Sequence, residues 1–228
     1  MGVVLLVRHG QASFGAEDYD VLSETGWEQS RRLGRWLSER DVRPDVILRG
    51  DMKRHRDTVE GMQTGAAWVS SSEVDAGWNE FDHLGVVSAY SRSGADLPQG
   101  RNLGRREFQQ VFELATQRWT GGGFDADYPE TYVAFRARVA GSVERANAAA
   151  GPGGTVAVVS SGGPIAAVCA MLVDPTGDDP ATFARLWSRF NTVCVNTGVT
   201  RVVVGSTGAR MLTFNEHQHL DGDLVTYR

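Results

Sequence analysis

The chain has 228 residues, enough to bury a substantial core in one α/β domain with an insertion. Its 28 acidic and 23 basic side chains give a net charge of −5, so no global positive field favours nucleic acid or an anionic membrane, and any anion site must be local. No apolar run approaches membrane-spanning length, no basic-then-apolar leader opens the chain, and Leu6 stands where a myristoylation signal after Met1-Gly2 needs Ser or Thr.

Val3-Val4-Leu5-Leu6-Val7 reads as a strand buried on both faces, as at the centre of a parallel sheet. It ends in Arg8-His9-Gly10, and loops beyond the C-terminal ends of such strands hold ligands. Arg8 offers a planar fork for phosphate oxygens, His9 a ring nitrogen able to attack or to exchange a proton, and Gly10 room for close backbone approach. The three together point to a phosphate site with a histidine nucleophile, although an Arg-His pair taken alone is more often solvated. Gln11 to Leu22 has no steady period and reads as an ordered loop. Thr25 with Glu28 forms a capping box, and Trp27, Leu33, Trp36 and Leu37 recur at helical spacing to about Arg40. After Pro44, residues Asp45 to Arg49 begin a second strand.

Gly50 to Thr58 is a polar turn entering a helix whose first turn carries Asp51. An anion bound there meets Arg54 and the helix N-terminus together, while the plainer alternative is a charged helix surface. Ala67 to Val74 is expected as a third strand, leading to Glu80 between Trp78 and Phe81, with His83 three residues on. Apolar neighbours favour the neutral form of a carboxyl, which a general acid needs. From about 86 to 150 the pattern is that of a mainly helical insertion, with helices near Leu103 to Trp119 and Glu130 to Ala149. Arg92, Arg101, Arg105 and Arg106 are placed to steer anions into a cleft beneath it, or are simply solvated.

The apolar run Thr155 to Val159 ends in Ser160-Ser161-Gly162-Gly163-Pro164 and opens a helix over Ile165 to Leu172. This second strand, glycine turn and helix start suits phosphate, although the glycines also serve a tight turn. A helix near Pro180 to Phe190 and strands near Val193 to Val204 and Arg210 to Phe214 close the sheet. Cys169 and Cys194 lie among apolar neighbours, so both read as buried small hydrophobes, and a soluble, cytoplasmic protein is expected.

Several of these pieces recur in a recognisable order: Arg8-His9-Gly10, Leu22-Ser23-Glu24-Thr25-Gly26, Met52-Lys53-Arg54 with Thr58, and Glu80. Asn196-Thr197-Gly198 and Asn215 to Leu220 follow them. In order and spacing this set resembles the histidine phosphatase superfamily, which includes the cofactor-dependent phosphoglycerate mutases and many broad phosphatases. The resemblance implies an α/β three-layer sandwich over residues 1–228, its mostly parallel central sheet flanked by helices. It also implies a small phosphorylated substrate or inorganic phosphate as ligand, with neither metal nor other cofactor. His9 would attack phosphorus, Arg8 and Arg54 would hold the non-bridging oxygens, and Glu80 would protonate the leaving oxygen.

One position departs from the family. Its second histidine, in a Ser-His-Gly-Gly setting, falls on Ser161 here, with Gly162 beside it in the phosphate turn. Serine donates a hydrogen bond but brings no positive charge. His83 is expected to replace the missing imidazole; alternatively Ser161 suffices in a slower enzyme, or the protein binds phospholigands without turnover. By the same motifs His55, His217 and His219 stand outside direct contact or in supporting positions. Gln11 in place of glutamate, Ser13-Phe14-Gly15 in place of an asparagine-bearing loop, and an insertion lacking the carboxylate-reading stretch of mutases favour a phosphatase over a mutase.

Overall fold

Strand β1 (Gly2–Arg8) lies in the middle of a six-stranded sheet, and its alternate side chains enter two different cores. A computed structural model of the chain describes residues 1–13, 20–94 and 105–227. The remaining elements, in chain order, are α1 (Glu24–Ser38), β2 (Val46–Arg49), α2 (Lys53–Ala66), β3 (Ser72–Val74), α3 (His83–Arg92), α4 (Arg105–Thr120), α5 (Tyr132–Ala150), β4 (Thr155–Ser160), α6 (Gly162–Val173), α7 (Pro180–Val193), β5 (Val199–Gly205) and β6 (Gly208–Glu216). The strand order is β3-β2-β4-β1-β5-β6. The first four strands in that order run parallel, and β5 and β6 close the far side as antiparallel neighbours.

The two cores make a three-layer α/β sandwich, as the resemblance implied. Leu5 and Val7 join Ile47, Ala157 and Val159 against Leu33 and Leu37 of α1 and Val59 and Met62 of α2. Val4 and Leu6 face the other way with Val156 and Val158, against α5, α6 and an aromatic cluster of Trp78, Phe81, Trp119, Tyr132, Phe135 and Trp187. Phe81 stacks on Trp119 at 4.8 Å between ring centroids, so the segment that carries Glu80 is anchored in this aromatic core.

Several local expectations differ from what the chain does. The cap of α1 is Ser23, whose hydroxyl accepts from the Gly26 amide, while Glu28 pairs with Arg31 and Arg32 on the helix surface instead of closing a box with Thr25. Ser23 also donates to the Gln11 side chain at 2.9 Å, a long-range contact that fixes the helix start two residues earlier. The third strand is only Ser72–Val74, because α2 continues to Ala66 and ends on Ala67 in the left-handed region at φ 54°. Likewise α7 runs through Val193, and Asn196-Thr197-Gly198 is a turn with Thr197 at φ 57°, so β5 starts at Val199. Arg101, Phe14 and Gly15 lie outside the described residues, as do the side chains of Arg105 and Arg106; Arg92 is exposed.

Candidate active site

Pairing in the sheet brings the functional segments to one edge. Arg8 pairs in register with Ser160, and Arg49 with Val159, so the ends of β1, β4 and β2 lie side by side. His9 follows the first, Ser161 and Gly162 the second, and Arg54 and His55 the third through the short turn into α2. Glu80 arrives from beyond β3. These are the C-terminal ends of parallel strands, where open α/β sheets hold ligands.

His9 is held on every side. Its backbone amide donates to the Ser160 carbonyl at 2.8 Å, and its own carbonyl accepts from Asn196 Nδ2 at 3.1 Å. Nδ1 lies 2.7 Å from the Gly10 carbonyl oxygen. A carbonyl only accepts, so Nδ1 carries the proton of a neutral ring and the lone pair is on Nε2. Burial, reinforced by the charges of Arg54 and Arg8 and by His55, pushes the His9 pKa well below the ordinary imidazole value. The ring is therefore neutral at neutral pH.

The two guanidinium groups are set by different means. Arg8 Nη1 donates to the Tyr227 carbonyl at 2.8 Å and to the Cys194 carbonyl, and its side chain reaches Gly162 at the start of α6. Arg54 is 4% exposed; its Nη1 donates to Asp20 Oδ1 at 2.6 Å, and its carbonyl accepts from Thr58 Oγ1, which in turn accepts from the Gly10 amide. Asp20 also takes the Lys53 amide at 2.9 Å, so it caps α2 and orients Arg54 together.

Glu80 Oε2 accepts from the Gly163 amide at 3.2 Å, which ties the carboxylate to the first turn of α6. The turn beneath it is gripped by Arg138 of α5, which donates to the carbonyls of Gly77 at 2.9 Å and Asn79 at 2.7 Å. His83 opens α3, half-buried, with its pKa lowered chiefly by burial and with the charges of Glu80 and Arg54 acting on it from nearby. Ser161 is wholly buried, and its hydroxyl does not cap α6 but lies 2.8 Å from His55 Nε2. His55 is also wholly buried, 5.7 Å from the His9 ring between centroids.

The predicted residues His9, Arg8, Arg54, Glu80, Ser161 and Gly162 thus gather at one sheet edge, with His83 near Glu80. Sequence reasoning passed over Asp20, Arg138 and Thr226, and took Asn196 only as part of the resemblance. Thr226 Oγ1 donates to Asn196 Oδ1 at 2.9 Å, and Gln29 Nε2 donates to Thr226 Oγ1 at 2.8 Å, so the C-terminal segment straps the backbone behind His9. These are polar residues with partners far along the chain, and no local pattern marks them. His55 was given a supporting place, yet it stands against Ser161.

Burial also lowers His55 well below the usual range and His219 to about 3. In the unfolded chain such imidazoles take up protons as pH falls through about 6.5, whereas the folded chain keeps them neutral. The cost to stability is absent above that pH and grows below it. The urea midpoint is expected to be lower at pH 5 than at pH 7.5 with the slope unchanged; equal midpoints would contradict this.

Residues 4–217 match the family model of the Histidine phosphatase superfamily (branch 1). Over 103 residues the chain is 31% identical to a 2,3-bisphosphoglycerate-dependent phosphoglycerate mutase of Thermobifida fusca (strain YX), a match covering 41% of this chain and 40% of that protein's length. A phosphoserine phosphatase mutant from Entamoeba histolytica, solved with phosphoserine, superposes with a TM-score of 0.65 at 16% identity, covering 96% of this chain and all of the other. A mycobacterial glucosyl-3-phosphoglycerate phosphatase solved with VO3 gives 0.61 at 21% identity, covering 94% and 99%. The phosphoglycerate mutase of Bacillus anthracis str. Sterne gives 0.64 at 19%, covering 96% and 94%. At these identities the solved structures establish the fold.

Proposed function

The chain belongs to the histidine phosphatase superfamily, and from that premise we propose that it is a metal-independent phosphomonoesterase working through a phosphohistidine on His9. The observation that carries this reading is the His9 ring itself: buried, with Nδ1 2.7 Å from the Gly10 carbonyl, so that the lone pair of the neutral ring lies on Nε2. Nε2 bonds to phosphorus as the ester oxygen leaves. Arg8 and Arg54 hold the non-bridging oxygens, and their fixed positive charge stabilises the transition state without reorganisation. Ser161 and the first turn of α6 at Gly162 add donors at the positive end of a helix.

Glu80 donates its proton to the leaving oxygen. The same carboxylate then accepts a proton from the water that attacks the phosphohistidine, releasing inorganic phosphate and restoring neutral His9. His83, at the head of α3, completes the mouth of the site next to Glu80. His83→Ala is expected to lower turnover by about a hundredfold, the usual effect of losing one donor in direct contact. A loss below threefold removes His83 from the site.

Small phosphorylated metabolites or inorganic phosphate are the ligands this site suits, with the protein working in the cytoplasm. Cys169 and Cys194 are both free and buried, which supports a reducing compartment. A phosphoglycerate mutase is the second reading, favoured by the Thermobifida fusca match. Hydrolysis of a generic aryl phosphate with chelator present, followed by a product assay on 3-phosphoglycerate, separates the readings. Release of inorganic phosphate in both assays supports the phosphatase; exchange between phosphoglycerate positions without net release supports the mutase. Binding of phosphate with no turnover at all leaves a pseudoenzyme.

A further inference from the structure

His55, the third residue of α2, is wholly buried although it stands in a run of charged residues, and its ring occupies a slot that exists only because residue 50 is glycine. A Cβ on Gly50 would stand 2.3 Å from His55 Nδ1. Among the described residues Nδ1 has no hydrogen-bond partner, while Nε2 lies 2.8 Å from Ser161 Oγ. A buried N–H left without an acceptor is rarer than an unmatched lone pair, and burial keeps the ring neutral. The neutral ring therefore carries its proton on Nε2 and donates to Ser161. A serine hydroxyl that accepts from His55 has its own O–H left to donate elsewhere, and Ser161 sits at the head of α6, next in the chain to the Ser160 carbonyl that binds the His9 amide.

We propose that His55 is a positioning residue for the phosphoryl site: its Nε2–H fixes the Ser161 hydroxyl so that the Ser161 O–H donates to a non-bridging phosphoryl oxygen of the group on His9. The inference rests on the phosphotransfer reading of His9 and assigns the pair, a serine just before α6 and an imidazole on α2, to the place where one charged side chain is missing. His55 itself does not touch the substrate.

The test compares wild type with His55→Ala, His55→Gln, Ser161→Ala and the double alanine variant in steady-state aryl phosphate hydrolysis. The glutamine amide reaches the place of Nε2 and keeps a donor to Ser161. His55→Ala and Ser161→Ala are each expected to lower kcat by roughly a hundredfold with KM changed little, since removing one donor to developing charge has that effect. The double variant is expected to be no worse than either single variant, and His55→Gln to stay within fivefold of wild type. A fully folded His55→Ala within threefold of wild type overturns the proposal, as do losses that multiply in the double variant or a glutamine as poor as alanine. Nitrogen-15 histidine spectra supply a readout independent of turnover. They are expected to show His55 as the neutral Nε2–H form in wild type, its signal moving on addition of inorganic phosphate and failing to move in Ser161→Ala. An Nδ1–H form, or a shift that survives Ser161→Ala, overturns the relay. If wild type turns nothing over and yet gives the expected spectra, the hydrolase reading falls while the His55 to Ser161 arrangement stands.

Discussion

Alanine at position 9 is expected to lower aryl phosphate hydrolysis by about a thousandfold or more, while leaving phosphate affinity close to that of the wild type. Deleting a covalent nucleophile removes the whole two-step path, so losses of this scale are the rule. The two guanidinium groups keep their anchors in the variant: Arg8 on the Tyr227 carbonyl and Arg54 on Asp20, neither of which depends on the imidazole. The loss therefore falls on kcat. Thermal unfolding and the equilibrium binding of inorganic phosphate check that fold and clamp survive. A variant that keeps more than a tenth of the activity, with fold and binding intact, excludes His9 as nucleophile.

Removing the acid has an effect that depends on the leaving group. Glu80→Gln keeps a side-chain oxygen able to accept from the Gly163 amide but has no proton to give, so a loss of about a hundredfold to ten-thousandfold is expected for alkyl phosphates. An aryl phosphate with an acidic phenol leaves well unprotonated, and its loss is expected to be much smaller. Gly163→Ala reaches the same residue by sterics: a Cβ there would lie 2.1 Å from Glu80 Oε1, so the carboxylate must move. Both variants are expected to show the same dependence on leaving group, read from kcat over a series of phenyl and alkyl phosphates. An equal loss across the series would remove proton donation from the role of Glu80.

What could be read from the chain followed the range over which each signal acts. The buried central strand is written into five consecutive apolar residues, Val3 to Val7, and the two-sided core bears it out. Arg8, Arg54, Glu80 and Ser161 all stand next to strand ends or helix starts that can be located locally. The cap of α1 was misplaced because Ser23 and Thr25 are both good caps, and the contact of Ser23 with Gln11 decides between them. His55 was hidden for a different reason. Lys53-Arg54-His55-Arg56 reads as a solvated helix surface, and only the adjacency of β2 and β4 turns one member of it inward toward Ser161. Arg138 and Thr226 were invisible on the same ground, since Arg138 binds a turn about 60 residues away and Thr226 binds Asn196 30 residues away.

The most direct test is to quench the protein with alkali within its first turnovers of a labelled phosphate ester and locate the label. A phosphoenzyme is expected that survives base, is lost in acid, maps by peptide mass to His9 and is absent from His9→Ala. Turnover of the ester with no such species, or a label that persists in His9→Ala, would contradict it.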